Sequence, residues 1–454
     1  MRYQLLLSVR SASRVCTCWL WAAITVLFCH GASEAQTNAA YPSQKAIRAL
    51  TDSLASQLVK YYVDREAAVR MGTAIRKKFR EGHYSKITDV HVLAGELTSD
   101  LLAVHHDEHL HVEYNPALAY ELSGDVEDVP GMVAGKLRRD RWHNFGFRKT
   151  EILPGNIGYL ELSGFSRLNQ YSKATADAAL KLLSNAGAVI IDLRYGVGGS
   201  PDMMTHILSH FFTERIHVSN IHIRSENTKL SYFTTPDSSY GRLTEIPVYV
   251  LTSYKTFSAA EGLAYTLQTT GRAQIVGEKT RGGAHTVTYR PLSSGFVCDI
   301  PFGRAESPIT GKNWEKVGVT PDVPAPAAEA LETAQVLIFN KVIATCTDSA
   351  EMRMLRWGRD LALAVHHPVT LDTSEIRNIT GTYGPYCISY AEGCLYYQKT
   401  GKAKFPLIPM SSTTLRVKGN EQFIIELKKD PSGAVARITT LYDDGRAEYA
   451  ERSR

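Results

Sequence analysis

The sequence has 454 residues, of which 44% are hydrophobic and 21% are charged, a composition typical of globular proteins. The length provides material for roughly two or three domains with buried cores. The formal net charge of +5 is small for this size and the basic residues are not gathered in runs. The sequence therefore lacks the basic patch that nucleic-acid binding requires, and nucleic acid is excluded as a partner.

Residues 1–35 have the pattern of a secretory signal peptide. Three arginines precede an apolar run from Val15 to Phe28, and small residues at Ser33 and Ala35 offer a cleavage site. The apolar run is shorter than the roughly 20 residues that span a bilayer, which disfavours a retained membrane anchor. A lipid anchor on Cys29 is disfavoured because the preceding Phe28 is bulky. The pattern predicts export to a periplasmic or extracellular location, without stable membrane insertion.

Four cysteines remain after this segment is removed, in a compartment that favours disulfides: Cys298, Cys346, Cys387 and Cys394. They permit three pairings, and the sequence does not choose among them. The short spacing of Cys387 and Cys394 would suit a clip across a hairpin. A buried free thiol at Cys298 is an equally good interpretation.

Residues 36–103 are predicted to form a small N-terminal helical domain. Apolar residues recur there at helical spacing in two stripes, one of Ile47, Leu50, Leu54, Leu58 and Tyr61, the other of Val90, Leu93, Leu97 and Leu101.

A dense histidine cluster follows in the segment HHDEHLHVEY at 105–114. His105 and His109 are four residues apart and would share a metal ion if the segment were helical. However, the alternation of Leu110, Val112 and Tyr114 predicts that a strand begins here. Solvated or core histidines without a chemical role are the second interpretation. His106 and His111 are given no chemical role and are treated only as neighbours of the other histidines.

From Asn156 onward, patterns of strands and helices alternate, which predicts an α/β core with mostly parallel strands. The segment Asp192-Leu193-Arg194 ends a buried strand, and Gly198-Gly199 follow it. Glycines let the backbone turn tightly and present its N–H groups. A structural turn alone would also explain them.

Ser258 stands where a buried strand at 246–252 leads into a predicted helix that ends near Gly271. At a helix N-terminus the first N–H groups are unpaired, so a serine there can attack a carbonyl while the N–H of Ala259 faces the developing oxyanion. Ser258 and Glu261 also form a capping-box pattern, which needs no catalysis.

The last third of the chain changes character. A helix at 327–342 closes the α/β core, and residues 346–372 read as a charged helical linker. Residues 373–454 carry short alternating segments separated by turn signals such as DPSG at 430–433. This pattern predicts a small C-terminal all-β module.

Several motifs together resemble the tail-specific (C-terminal-processing) serine peptidase family. They are TFSAAE at 256–261, GEKTRGGA at 277–284, IDLR at 191–194 with Gly198-Gly199, DEHL at 107–110, and NWEKVGVTPD at 313–322. Within the family they are most similar to the branch typified by interphotoreceptor retinoid-binding protein and the tricorn protease core. The resemblance implies that residues 104–345 form a crotonase-like ββα spiral core. The interval between Tyr114 and Pro154 is too short for the PDZ domain that many members carry.

The resemblance also implies roles for individual residues. Ser258 would be the nucleophile, His109 the general base and Glu315 the residue that holds the base. The N–H groups of Ala259 and of Gly198 or Gly199 would form the oxyanion hole.

The family's dyad form has a lysine twenty-five residues after its serine, and this chain has Gly283 there. Lys279 lies four residues earlier. Dyad enzymes have a lysine at this position in addition to their catalytic lysine, so Lys279 does not replace the missing residue, and the resemblance favours a histidine base.

The resemblance therefore predicts an exported serine peptidase that acts on peptides or proteins and requires no metal or organic cofactor. The alternative is a non-catalytic module that binds apolar ligands, as retinoid-binding relatives do, because a fold does not fix a function. The sequence does not predict an oligomeric state.

Overall fold

The computed structural model describes residues 43–123, 130–367, 369–420 and 422–453. The predicted signal peptide at 1–35 lies outside the described residues. Within the described ranges, no helix combines the length and the apolar character needed to cross a membrane.

The helices, in chain order, are α1 (Gln44–Tyr61), α2 (Arg65–Arg80), α3 (Val90–Val104), α4 (Pro116–Ser123), α5 (Pro130–Trp142), α6 (Gln170–Leu182), α7 (Pro201–Ser209), α8 (Ala259–Thr269), α9 (Ala330–Thr345), α10 (Ser349–His366) and α11 (Thr373–Ile379). The strands are β1 (His111–Tyr114), β2 (Phe147–Leu153), β3 (Ile157–Leu162), β4 (Ala188–Asp192), β5 (His217–Ile223), β6 (Thr228–Phe233), β7 (Val248–Thr252), β8 (Ala273–Gly277), β9 (His285–Pro291), β10 (Phe296–Glu306), β11 (Val323–Pro324), β12 (Gly381–Tyr383), β13 (Tyr386–Ala391), β14 (Cys394–Lys399), β15 (Lys404–Pro409), β16 (Thr414–Val417), β17 (Phe423–Lys429), β18 (Val435–Tyr442) and β19 (Ala447–Glu451).

Helices α1, α2 and α3 make up the N-terminal region, which confirms the predicted helical pattern. Each begins at a residue whose side chain accepts a hydrogen bond from the first turn: Ser43, Asp64 and Asp89. Their apolar stripes are buried together in one core, which also includes residues of β10 and of the segment that precedes it. The helical region is therefore packed onto the sheet that contains β10.

A six-stranded sheet in the order β11-β8-β7-β4-β3-β2 forms the centre of the molecule. All neighbouring pairs are parallel except β2 with β3. Strands β4 and β7 are buried along their whole length, as expected for strands covered on both faces. Helices α6, α7 and α8 pack on one face, and α9 packs on the other.

A second sheet has the order β1-β10-β5-β6, with β9 also paired to β10, and all of its pairs are antiparallel. The prediction of mostly parallel pairing is therefore right for the central sheet and wrong for this one. The sequence pattern gave little sign of it, because strands such as β6 are largely exposed and lack a continuous apolar run.

The predicted C-terminal β module is an eight-stranded antiparallel sheet in which β12 to β19 are neighbours in sequence order. An isolated bridge between Tyr383 and Arg452 joins its first strand to the end of the chain, so the sheet closes in a barrel-like manner. Its interior is a separate apolar core.

The four cysteines within the described residues, Cys298, Cys346, Cys387 and Cys394, are free thiols. The proposed clip between Cys387 and Cys394 is not formed. The two residues are not opposite each other, since Cys387 faces Gln398 and Cys394 faces Ala391 across the hairpin. Cys298 is a buried free thiol, which was the alternative interpretation.

Candidate active site

Two loops meet at one edge of the central sheet. Gly198-Gly199 follow β4 and Ser258 follows β7, and these two parallel strands are neighbours. The carboxyl ends of parallel strands lie at the same sheet edge, where α/β proteins form their clefts. Backbone and side-chain bonds join the loops: Phe257 N–H donates to Gly196 C=O at 3.0 Å, and Thr256 Oγ1 donates to Leu193 C=O at 2.7 Å.

Ser258 has a strained backbone at the N-terminus of α8. Its φ of 56° and ψ of −124° differ from the extended conformation of an ordinary N-cap. Such a conformation costs on the order of 1–3 kcal/mol in a residue with a side chain and persists only where its surroundings impose it. Ser258 N–H donates to Glu261 at 2.9 Å, which is the half of a capping box that the glutamate supplies. A capping role is thus present, and it does not explain the strain.

Glu261 fixes the loop that carries Ser258. Its side chain is fully buried, and it accepts hydrogen bonds from Ser258 N–H, from Thr280 Oγ1 at 2.5 Å, from Gly282 N–H at 2.7 Å and from Gly283 N–H at 2.8 Å. Burial raises the pKa of Glu261, and these hydrogen bonds offset part of that effect. One carboxylate therefore ties the serine loop to the loop at 280–283.

Gly198 lies directly against the serine. A Cβ at this position would be 2.6 Å from Ser258 Cβ and 2.8 Å from the Ala259 nitrogen, and φ is +92°. Only glycine fits. Among the described hydrogen bonds of the two loops, the N–H groups of Gly198 and Ala259 donate to no backbone acceptor. The predicted oxyanion donors Ala259 and Gly198 are thus adjacent and available. Gly199 is more exposed.

His109 packs beside the serine loop. Its ring centroid is 4.4 Å from that of Phe257, the residue before Ser258. A Cβ at position 283 would lie 2.3 Å from the Phe257 ring and 2.6 Å from His109 Cε1. The His109 and Phe257 rings therefore occupy the space into which a side chain at position 283 would extend, and a lysine does not fit there. Lys279 is exposed.

A chain of buried polar groups continues from His109. The Asp107 carboxylate lies 3.7 Å from His109 Nδ1, and it accepts hydrogen bonds at 2.8 Å from His285 Nδ1 and from the Tyr62 hydroxyl. Burial alone would raise the pKa of Asp107, but the contacts with His109, His285 and Tyr62 outweigh it and hold that pKa well below the usual range.

Glu315, the residue predicted to hold the general base, joins this cluster through His285 rather than through His109. It accepts a hydrogen bond from Ala284 N–H at 2.7 Å and lies 3.7 Å from His285 Nδ1. Within the part of the chain that the structure describes, neither ring nitrogen of His109 has a hydrogen-bond partner. The carboxylate that faces His109 Nδ1 is that of Asp107.

Asp107, Glu261 and His285 are functional candidates to which the sequence analysis gave no role in the active site, although it named Glu261 as a possible capping residue. Asp107 and Glu261 lie within motifs quoted above, two residues before His109 and three after Ser258. Nothing in the local pattern of His285 distinguishes it from any other histidine in a strand.

The metal interpretation of His105 and His109 has no helix to support it, because residues 105–110 are irregular. His105 Nε2 is 3.2 Å from Lys316 Nζ, and His109 faces Phe257. The two side chains contact different groups.

A cleft of about 760 Å³ opens beside this cluster. Its lining includes His285 and Glu315, and most of the rest is polar or charged: Asp64, Arg65, Glu66, His105, His222, Arg224, Asn227, Thr228, Lys229, Arg304 and Lys316.

Two family profiles match the sequence in the order of these regions. Residues 39–141 match the N-terminal domain of peptidase S41 in eukaryotic IRBP, and residues 156–325 match peptidase family S41. Together the matches span more than half of the chain. The chain belongs to peptidase family S41. The second match contains Ser258, Glu261, Gly198 and Glu315, whereas His109 lies in the first.

Curated S41 relatives are similar over the core. The chain is 32% identical over 182 residues to carboxyl-terminal-processing peptidase 2 of Arabidopsis thaliana, covering 38% of this chain and 34% of that one. It is 29% identical over 171 residues to a carboxyl-terminal-processing protease of Picosynechococcus, covering 37% and 40%. The chain thus spans only about a third to two fifths of the length of these relatives.

Solved structures of S41 type are more distant in sequence. The photosystem II D1 C-terminal processing protease is 17% identical with a TM-score of 0.38, covering 62% of this chain and 94% of that one. The tricorn protease is 14% identical with a TM-score of 0.43, covering 66% and 37%.

Proposed function

We propose that this chain is an exported serine peptidase in which Ser258 attacks the peptide bond and His109 is the general base. The observation that carries the proposal is the packing of the His109 ring on Phe257, next to Ser258 and in the space above Gly283. The position that holds lysine in the family's dyad form is thus filled by an imidazole. Family membership supports the reaction class, and the pattern of residues 1–35 supports export.

In the proposed reaction, His109 Nε2 takes the proton from Ser258 Oγ as the oxygen attacks the scissile carbonyl. The oxyanion that forms accepts hydrogen bonds from the N–H groups of Ala259 and Gly198, each worth on the order of 3 kcal/mol in the barrier. His109 then gives its proton to the leaving amine, and water releases the acyl group from Ser258 by the same steps in reverse. The strained backbone at Ser258 supports this assignment, because such conformations cluster at active sites.

The imidazolium needs a carboxylate on its Nδ1 side, which fixes the tautomer and stabilises the charge. We assign the direct contact to Asp107, and a supporting role through His285 to Glu315, the residue that holds the base in tricorn-like members. Asp107 faces Nδ1 at 3.7 Å, and His285 lies between the Asp107 and Glu315 carboxylates. Hydrogen bonds in a catalytic site are often long before substrate binds, so a 3.7 Å separation is compatible with this role.

The fold around the site is proposed to be of the crotonase-like ββα type. The consecutive elements β2, β3 and α6 follow the ββα order, which supports it. The region before residue 104 and the module after 372 would be additions to this core.

The substrate would be a peptide or protein whose scissile bond lies at Ser258. The charged cleft beside Glu315 is lined by neither Ser258 nor His109, so it would hold only a part of the substrate away from the scissile bond. The presence of all three polar residues, Ser258, His109 and Glu315, favours the peptidase over the binding module.

A fluorophosphonate probe tests the proposal. We expect the mature protein to be labelled at Ser258 only, and the variant Ser258→Ala to remain folded by circular dichroism and unlabelled. The matched control is Ser253→Ala, which changes a serine of the same loop whose hydroxyl donates to Arg194 C=O. Labelling at another serine, or none in the folded wild type, would support the binding module instead.

A further inference from the structure

A second group of potential ligands lies on the face of the central sheet that carries α6, α7 and α8. His206 is in α7, His210 follows its last turn, and Asp177 is in the neighbouring α6. Residues four apart on a helix point to the same side, so both imidazoles face α6. Asp177 Oδ1 lies 2.6 Å from His206 Nε2 and 3.3 Å from His210 Nε2.

The separations of these atoms suit a small divalent cation. One nitrogen from each histidine and one carboxylate oxygen all lie within 4.8 Å of one another. Zinc bonds of about 2.0–2.1 Å in tetrahedral geometry place neighbouring ligand atoms roughly 3.3 Å apart. The distance from Asp177 Oδ1 to His210 Nε2 already matches this spacing. The distance from Asp177 Oδ1 to His206 Nε2 would have to increase by about 0.7 Å, which a small side-chain rotation allows.

The surroundings orient the ligand atoms. The Nδ1 of His210 donates to the backbone C=O of His206 at 3.0 Å, so its Nε2 carries the lone pair toward Asp177. A histidine that binds a metal usually has its other nitrogen fixed in this way. Both histidines are buried, with exposures of 7% and 1%, whereas the Asp177 side chain is 34% exposed. The partly exposed Asp177 side chain therefore connects the cluster to solvent.

Lys173 competes for the Asp177 carboxylate. Its Nζ is 2.7 Å from Asp177 Oδ2, the carboxylate oxygen that faces away from the histidines. Oδ1 remains directed at both imidazoles, so the carboxylate is able to bind an ion and the lysine together.

Two other groups of three potential ligands in the described residues are less suitable. Asp107, His285 and Glu315 belong to the candidate active site, where Tyr62 and Ala284 also bind the carboxylates. In the group that contains His83, Asp100 is paired with Lys78 and Tyr84.

We propose that Asp177, His206 and His210 form a site for a divalent transition-metal ion, with Zn²⁺ the best match and water as the fourth ligand. Two imidazoles and one carboxylate are ligands that zinc accepts. The ion would link α6 to α7, the helix that begins directly after the Gly198-Gly199 turn. The site is separate from the serine chemistry and does not depend on it.

Metal titration of the mature, chelator-treated protein tests the proposal. Exposed thiols are first blocked with iodoacetamide, since free cysteines also bind zinc. We expect one equivalent of Zn²⁺ to bind in competition with an indicator dye, and Asp177→Asn to weaken that binding at least tenfold. The matched control is Glu306→Gln, which removes a carboxylate that faces a single histidine, His222, at 3.3 Å. It should bind like wild type.

Co²⁺ provides a second readout, the visible absorption spectrum of the bound ion. The wild-type protein should give the intense visible absorption of tetrahedral cobalt, and His206→Gln should lose it. The proposal is overturned if the wild type binds no stoichiometric Zn²⁺, if its cobalt spectrum is weak and octahedral, or if Asp177→Asn binds as tightly as Glu306→Gln. In each of these cases the three side chains would only join the two helices by hydrogen bonds.

Discussion

The two halves of the candidate active site are held in different ways. Ser258 lies on a loop fixed by the buried carboxylate of Glu261, which accepts four hydrogen bonds. His109 has no hydrogen bond at either ring nitrogen within the described residues, and it is positioned by packing on Phe257. We therefore expect the serine loop to be rigid before substrate arrives, whereas His109, the proposed base, would complete its contacts with substrate present. This difference predicts that changes near Glu261 affect folding and changes near His109 affect catalysis.

The largest expected effects are in the residues proposed to react. Ser258→Ala and His109→Ala should each lower kcat/KM on a peptide ester by about 10⁴-fold or more, and the double variant should lose little further, because members of one catalytic unit are not additive. Steady-state kinetics on proteins verified by circular dichroism measures this. If the two losses multiplied, the serine and the histidine would act independently.

The next effects concern the carboxylates behind His109. Asp107→Asn and Glu315→Gln should each lower kcat by roughly 10²- to 10³-fold with little change in KM, because a neutral amide no longer stabilises the imidazolium. The ratio of the two losses in kcat shows which carboxylate contributes more to stabilising the imidazolium. Losses below threefold in both variants would contradict the proposed arrangement.

Glu261→Gln should act mainly on stability. A glutamine amide replaces an acceptor oxygen with a donor. This change leaves unpaired either the N–H groups of Ser258 and Gly283, which donate to Oε2, or the Gly282 N–H and the Thr280 hydroxyl, which donate to Oε1, and it costs about 3 kcal/mol of unfolding free energy. Urea denaturation measures this. Glu278→Gln is the matched control, because Glu278 accepts backbone hydrogen bonds from Tyr254 and Ala327 farther from the serine. Equal losses in the two variants would show that Glu261 has no special part in holding the loop.

The smallest expected effect is in the C-terminal β module. The candidate active-site residues all lie between 107 and 315, and the module has its own core. Truncation before Asp372 should therefore leave activity on a short peptide ester within roughly tenfold, or about 1.4 kcal/mol in the barrier. Complete loss of activity in a soluble, folded truncation would mean that the module contributes to the site.

The comparison of the two halves also explains what the sequence predicted. The strand, serine and helix at 246–269 are contiguous, so period and capping signals located them within a few residues. The strain at Ser258 was not predictable, because the turn at Gly198 that packs against it and the loop at 280–283 that Glu261 binds are both distant in sequence. The cluster of Asp107, His285 and Glu315 joins three distant segments across an antiparallel sheet that has no strong pattern. Gly283 is the exception: its missing side chain pointed to another base, and the structure has His109 beside it.

The rate of fluorophosphonate labelling at Ser258 tests the central claim most directly, because it measures activation of the serine without any substrate preference. His109→Ala should slow labelling by about 10³-fold, whereas Lys279→Ala, which changes an exposed side chain, should stay within about threefold of wild type. If Lys279→Ala abolishes labelling and His109→Ala is tolerated, the base is the lysine and the proposed role of His109 is wrong.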